Sequence, residues 1–199
     1  MGIIGTGRIG TGLATGWVAA GHDVMFGSRD PAGTASPVAG ASVASHGDAV
    51  SGADVVAIAI PYSSVEGFAR DHAAALSGVV VMDISNPMRG LLGSGRSGAE
   101  VTAAAIGDGA RVVAAFKANF ASTLAEPRNA AGQQRDVWIA GEDASAREVV
   151  AGLIADLGFR PVDCGGMEST HVLDLLVPLI IELTGRADSD RSVSFKLLD

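Results

Sequence analysis

One stretch constrains the fold of this chain more than any other: Gly2 to Arg29, GIIGTGRIGTGLATGWVAAGHDVMFGSR, which reads as strand, glycine turn, helix and second strand in succession. Gly5, Gly7 and Gly10 spell G-x-G-x-x-G directly after the apolar Ile3 and Ile4. In that pattern the first glycine allows a tight turn, the second lets the backbone approach a pyrophosphate, and the third lets helix and strand pack closely. Ile9, Leu13, Trp17 and Ala20 then recur on one face at helical period, and Gly21 stands where the helix should end. The free N–H groups at such a helix start, with the positive end of its dipole, suit phosphate. In a chain with 27 glycines among 199 residues the glycine spacing alone is weak. Its place between a strand and a helix gives it weight.

The second strand, expected from Asp23 to Gly27, bears on the cofactor. An acid at its end would suit the free ribose hydroxyls of NAD, whereas an Arg accommodates the 2'-phosphate of NADP. Here Ser28 and Arg29 follow the strand, a hydroxyl and a planar fork of donors. Asp30 is the contrary signal, although it also suits the start of a turn at Pro31. NADP is the favoured cofactor.

Strand and helix signals alternate to the end of the chain, which predicts an α/β, doubly wound, mainly parallel Rossmann sheet with a C-terminal α/β extension. Strands are expected at 41–44, 54–60, 79–83, 111–116, 137–140 and 159–163. Ser63 with Glu66, and Ser97 with Glu100, have capping-box spacing ahead of helices. A helix from 144 to 157 should turn Val149, Val150, Leu153, Ile154 and Leu157 inward. The last helix, 168–184, is apolar on nearly all sides and contains Pro178, which requires burial in its own subunit or in a partner. Residues 1–110 would form the NADP-binding portion. Residues 111–199 would extend the same compact domain and carry a dimerisation helix.

A net charge of -8 argues against nucleic acid or an anionic membrane as partner. Cys164 is the one cysteine, so no intrachain disulfide can form and a cytoplasmic setting is expected. Met1 to Thr6 fits a myristoylation pattern, but Gly2 should lie in a buried central strand. No secretory signal is seen, and the most apolar stretch, Val172 to Leu183, is interrupted by Asp174, Pro178 and Glu182.

Several segments together carry a more specific resemblance. These are G-T-G-R-I-G, G-H-D-V with G-S-R, A-I-P-Y, S-N-P, A-F-K-A-N-F-A-S-T-L, R-P-V-D-C-G and V-P-L-I-I-E-L. Across almost the whole chain the sequence resembles the NADP-dependent reductase family that includes NADPH:coenzyme F420 (deazaflavin) oxidoreductase. The resemblance implies direct hydride transfer between NADP(H) and a deazaflavin held face to face in one cleft. It implies that Thr6, Ser28 and Arg29 hold the 2'-phosphate and that the Pro61 turn borders the cofactor. Asn86 and the segment from Phe116 to Ala121 would lie near the nicotinamide. Expected cofactor contacts are Gly5, Thr6, Gly7, Arg8, Ile9 and Gly10 at the turn, and Ser28 and Arg29 after the second strand. Ile60, Pro61 and Tyr62 follow the fourth strand, and Asn86, Pro87 and Ala118 complete the set.

Lys117, directly after the sixth strand, is the candidate catalytic residue, as a proton donor to a carbonyl or imine or as a charge beside a reduced ring. A lysine bonding a backbone carbonyl or the cofactor ribose is the structural alternative, and relatives more often carry Asn or His here. Arg89 and Arg96, in a glycine-rich loop from Met88 to Gly98, could hold the anionic tail of the deazaflavin. His22 reads as structural, His46 and His72 as surface positions, and His171 as a packed helix residue. No metal-binding spacing and no nucleophile elbow occurs. Three functions stay open on sequence: hydride exchange between NADP and a deazaflavin, reduction of a small carbonyl or imine by NADPH, and a non-catalytic NADP-binding redox sensor.

Overall fold

Short β-branched runs separated by helices with one apolar stripe can bury those runs only in a parallel sheet covered on both faces. The computed structural model, which describes residues 1–87, 95–187 and 191–198, has this arrangement. Strands β1 (Gly2–Ile4), β2 (Met25–Ser28), β3 (Ser42–Ser45), β4 (Val55–Ile58), β5 (Val80–Asp83) and β6 (Arg111–Ala114) form one parallel sheet in the order β3-β2-β1-β4-β5-β6. The order reverses between β1 and β4, so a crevice opens beyond their carboxyl ends.

The pleat sorts alternate residues to the two faces. Ile3, Val55, Ala57, Val80 and Met82 point to one core with Leu13 and Trp17 of α1 (Arg8–Ala19). Ile4, Val56, Ile58 and Val81 point to the other, with Val50 of α2 (His46–Ser51) and Phe68 of α3 (Val65–Asp71). A second α3-like turn, α4 (Ala73–Leu76), and α5 (Gly98–Ile106) complete that layer. Gly2 is buried in β1 against α2, where a Cβ would meet the Ala49 carbonyl oxygen at 2.2 Å.

The remaining strands, β7 (Asp136–Ile139) and β8 (Arg160–Asp163), pair with each other in a separate parallel ladder, joined by α6 (Ala144–Asp156). An antiparallel bridge between Ala114 and Ala140 links this unit to the end of β6. Trp17 Nε1 donates to the Leu153 carbonyl at 2.9 Å, tying α1 to α6. The last helix, α7 (Ser169–Arg186), runs through Pro178 and lies against α5. Residues 192–198 lie on the β7–β8 unit, held by Arg135, Asp136 and Arg160.

Several sequence expectations need correction. The division at residue 110 falls within the large sheet, because β6 hydrogen-bonds to β5. The sixth strand stops at Ala114 rather than Phe116, since Phe116 adopts φ 55°, outside the extended region. Ser63 does not cap α3: a 3-10 turn over Tyr62–Ser64 comes first, and Glu66 pairs with Arg70 instead. The box at Ser97 and Glu100 does form, with both reciprocal bonds. Val149 is 43% exposed, while Val150, Leu153 and Ile154 are buried. Most of the loop carrying Arg89 lies outside the described residues.

Candidate functional site

At the switch point the chain leaves β1 through the glycine turn and leaves β4 through Pro61, and two joined cavities open there. Gly5 has φ +116°, a conformation that disfavours any side chain, and a Cβ there would lie 2.6 Å from the Ala59 carbonyl oxygen. A Cβ at Gly10 would sit 2.2 Å from the Gly5 carbonyl oxygen, so the third glycine is fixed by the closeness of helix to turn. Gly7 has open space where its Cβ would be. It is also the N-cap of α1, which has no side-chain cap and no acid in its first turn. The uncapped amides and the dipole make this a place for a diphosphate.

The first cavity, about 900 Å³, runs from Gly5, Thr6 and Gly7 to Ser28, Arg29 and Thr34 at the end of β2. Asp30, the contrary signal in the sequence, is turned back into its own loop: its carboxylate accepts from the Gly33 amide at 3.0 Å. Ser28 Oγ accepts from the Asp30 amide at 3.1 Å and lies 3.0 Å from Thr34 Oγ1. Arg29 is exposed on the same cavity and makes no hydrogen bond or ion pair among the described residues. An available guanidinium beside two hydroxyls fits a phosphate on the ribose, while Asp30, on the same cavity, has one carboxylate oxygen bonded to the Gly33 amide.

The second cavity, about 510 Å³, shares Gly7, Ile60 and Pro61 with the first. Its wall is largely apolar, with Ile9, Ile84, Ala118 and Phe120 on one side and Val177, Ile180 and Ile181 of α7 on the other. Tyr62, Asn86 and Arg191 add polar groups. Burial, then the nearby carboxylates Asp83, Asp174 and Glu66, push the Tyr62 hydroxyl above its ordinary range, so it is a donor at neutral pH. Asn86 Nδ2 donates to the Lys117 carbonyl at 3.3 Å, whereas Asn86 Oδ1 is buried with no partner. A buried orphan acceptor beside a largely apolar cleft fits the amide of a nicotinamide.

Of the residues expected from sequence, Gly5, Thr6, Ser28 and Arg29 line the first cavity and Arg8, Ile9, Tyr62, Asn86, Lys117 and Ala118 the second, with Gly7, Ile60 and Pro61 on both. Gly10 and Pro87 are buried behind the lining. Lys117 lines the second cavity with its ammonium engaged by buried partners. Its side chain is 2% exposed, and Nζ lies 3.3 Å from Asp83 Oδ1 and 3.3 Å from Asp174 Oδ1, and donates also to the Ser85 carbonyl. The bond to the Ser85 carbonyl is a contact of the kind the structural alternative expects.

Arg96 donates to the Glu100 carbonyl at 3.0 Å at the start of α5, and Arg89 lies outside the described residues. Sequence reasoning missed Arg191 and the α7 residues, and it placed His46 and His72 on the surface although both line the first cavity. Their signal was present only as position: His46 follows β3 directly, at the same sheet edge as Ser28. His22 bonds Asp156 at 2.9 Å and His171 bonds Glu100 at 2.6 Å, in agreement with structural roles.

The strand order, the uncapped glycine turn at its switch point and the paired cavities define a dinucleotide-binding α/β oxidoreductase fold. The chain belongs to the F420-dependent NADP reductase family. A family model described as NADP oxidoreductase coenzyme F420-dependent matches residues 1–87. The F420-dependent NADP reductase of Methanothermobacter thermautotrophicus is 30% identical over 211 residues, covering 92% of this chain and 87% of that protein. Metalloreductase STEAP3 of Rattus norvegicus is 32% identical over 88% of this chain, but the match spans only 36% of that protein. Among solved structures, a protein of Arthrobacter sp. FB24 provisionally assigned as an F420-dependent NADP reductase gives a TM-score of 0.88 at 27% identity, covering 100% of this chain and 98% of that one.

Proposed function

We propose that this chain is an oxidoreductase that exchanges a hydride between NADP(H) and the deazaflavin coenzyme F420. The observation that carries the reading is the pair of cavities meeting at Gly7, Ile60 and Pro61, one suited to the phosphates of NADP and the other apolar and flanked by an orphan amide acceptor. When bound, the two coenzymes supply the hydride chemistry, and the protein's part is to position them. The α1 amides and Arg8 hold the diphosphate, and Ser28 and Arg29 hold the ribose phosphate. Asn86, whose Oδ1 lacks a partner, would be the acceptor for the nicotinamide amide. Ile9, Phe120, Val177 and Ile180 exclude water from the second cavity.

Lys117 acts in this reading as a positioning residue, by clamping the chain after β5 to α7. With its ammonium held between two carboxylates, Lys117 does not favour reduction of a small carbonyl or imine over the deazaflavin reading. A homodimer formed through α7, in a cytoplasmic setting, belongs to the same reading and is supported by the exposed apolar side chains of α7 and the single cysteine.

The test mixes purified protein, NADPH and oxidised deazaflavin without oxygen and follows the deazaflavin's visible absorbance. Loss at a catalytic rate is expected. Tight NADPH binding with no change in absorbance would sink the deazaflavin reading and leave a different acceptor or a sensor.

A further inference from the structure

Two imidazoles in the first cavity have no role in the reading so far. His46 opens α2 and His72 joins α3 to α4, and both line the groove with Ser28 and Arg29 while remaining half-buried. Phe68 ties them together. Its ring centre lies 5.4 Å from that of His46, edge to face, and 4.8 Å from that of His72, and the two imidazoles are 6.2 Å apart. The other two of the chain's four histidines are each bonded to a carboxylate. Neither His46 nor His72 makes a hydrogen bond or ion pair from its ring among the described residues.

The charged groups around them are Arg29 and Asp30 from the end of β2, Asp71 beside His72, and Asp48 on α2 itself. The Asp30 carboxylate is taken by the Gly33 amide and that of Asp48 by Ser45 Oγ. Burial, then His72 and then Arg29 hold His46 below the ordinary histidine range, so the free protein carries it neutral near pH 7. A phosphate dianion placed against Arg29 would reverse the sign of that local field.

We propose, resting on the NADP reading above, that His46 and His72 form part of the 2'-phosphate pocket and that His46 takes up a proton when the phosphorylated cofactor binds. The complex then holds more protons than the free protein, so affinity rises as pH falls through the pKa of the bound state and levels off below that of the free state. NADH has no 2'-phosphate and follows no such dependence. The ratio of the NADH to the NADPH dissociation constant is expected to grow about fivefold between pH ~8.5 and pH ~6.5, a window kept above the second pKa of the phosphate at about 6.

The experiment measures both dissociation constants by fluorescence across that window for wild type, His46→Gln, His72→Gln and Arg29→Ala. Proton uptake by the wild type on binding NADP is measured by calorimetry in two buffers of different ionisation enthalpy. Net uptake with NADP but not NAD, a ratio that grows toward low pH, and flattening of that growth in the histidine variants are the expected results. A pH-independent ratio in the wild type with NADPH still preferred overturns this proposal and leaves NADP binding intact. Equal weakening of both cofactors in the histidine variants at every pH also overturns it, by reducing the rings to a stacking surface. If NADPH binds no tighter than NADH at any pH and Arg29→Ala changes nothing, the NADP reading itself fails.

Discussion

Asp83 and Asp174 both approach Lys117 Nζ at 3.3 Å in a cluster shielded from water, so three formal charges share one buried site. The cluster is further satisfied by Thr102, which donates to Asp83 Oδ2 at 2.8 Å, and by the Gly98 amide, which donates to Asp174 Oδ2 at 2.7 Å. Burial pushes the Asp174 carboxyl above the usual range, with Lys117 and the Gly98 amide opposing and Asp83 adding to the rise. A raised folded pKa means that the native state binds this proton more readily than the unfolded chain does. The contribution of Asp174 therefore favours folding most in acid and declines as pH rises from the unfolded value toward the folded one. Removing the ammonium leaves two buried carboxylates uncompensated, at a cost of about 3–5 kcal/mol. Lys117→Ala should melt well below wild type, with a larger deficit at pH ~8 than at pH ~5, where Asp174 can take a proton. Thermal melts at both values check this, and a variant as stable as wild type would show that the cluster is not structural.

At the scale of elements, one buried carboxylate joins Arg135 and Arg160 in fastening the C-terminal segment. Asp136, at the start of β7, accepts from Arg160 Nη2 at 2.7 Å, from Lys196 Nζ at 3.1 Å and from the Leu197 amide at 2.8 Å. Burial alone would raise its pKa, but the bonds from Arg160, Leu197 and Lys196 outweigh this and hold it below the usual range. A depressed folded pKa gives stability that is present above the unfolded value and lost as pH falls through the folded one. The segment 192–198 should thus loosen in acid. Asp136→Asn should loosen it at neutral pH, with hydrogen exchange of those amides about tenfold faster, since bonds to a charged group are worth about 1.5–3 kcal/mol. Unchanged protection in that variant would assign the anchoring to Arg135 and its bond to the Ser192 carbonyl.

For the whole molecule the unresolved surface is α7. Leu173, Val177 and Ile180 are buried, while Val172, Leu175, Leu179, Ile181 and Leu183 are 40% to 59% exposed. Five large apolar side chains on one helix favour burial against another copy of the same surface. Light scattering over a dilution series should report a dimer, and Leu175→Glu with Leu179→Glu should convert it to a monomer. A wild-type monomer at every concentration would mean that α7 meets water or another partner. Among the described residues no helix is long and apolar enough to cross a membrane.

The sequence by itself determined the β1–α1–β2 unit, the placing of Ser28 and Arg29 at the end of β2, and the succession of strands and helices. These rest on local rules: a turn needs its glycines, a helix repeats its apolar face, and a buried parallel strand is apolar throughout. The role of Asp30 was ambiguous because a carboxylate two residues beyond a strand can face a ribose or cap a turn, and only the folded loop turned it toward Gly33. Tertiary structure alone decided that Lys117 meets Asp83 and Asp174, that β7 and β8 leave the main sheet, and that His46 and His72 stand beside Arg29. Those outcomes depend on which elements cross which. Periodicity records the face that a residue presents, and the partner on that face is set by the packing of segments distant in the chain.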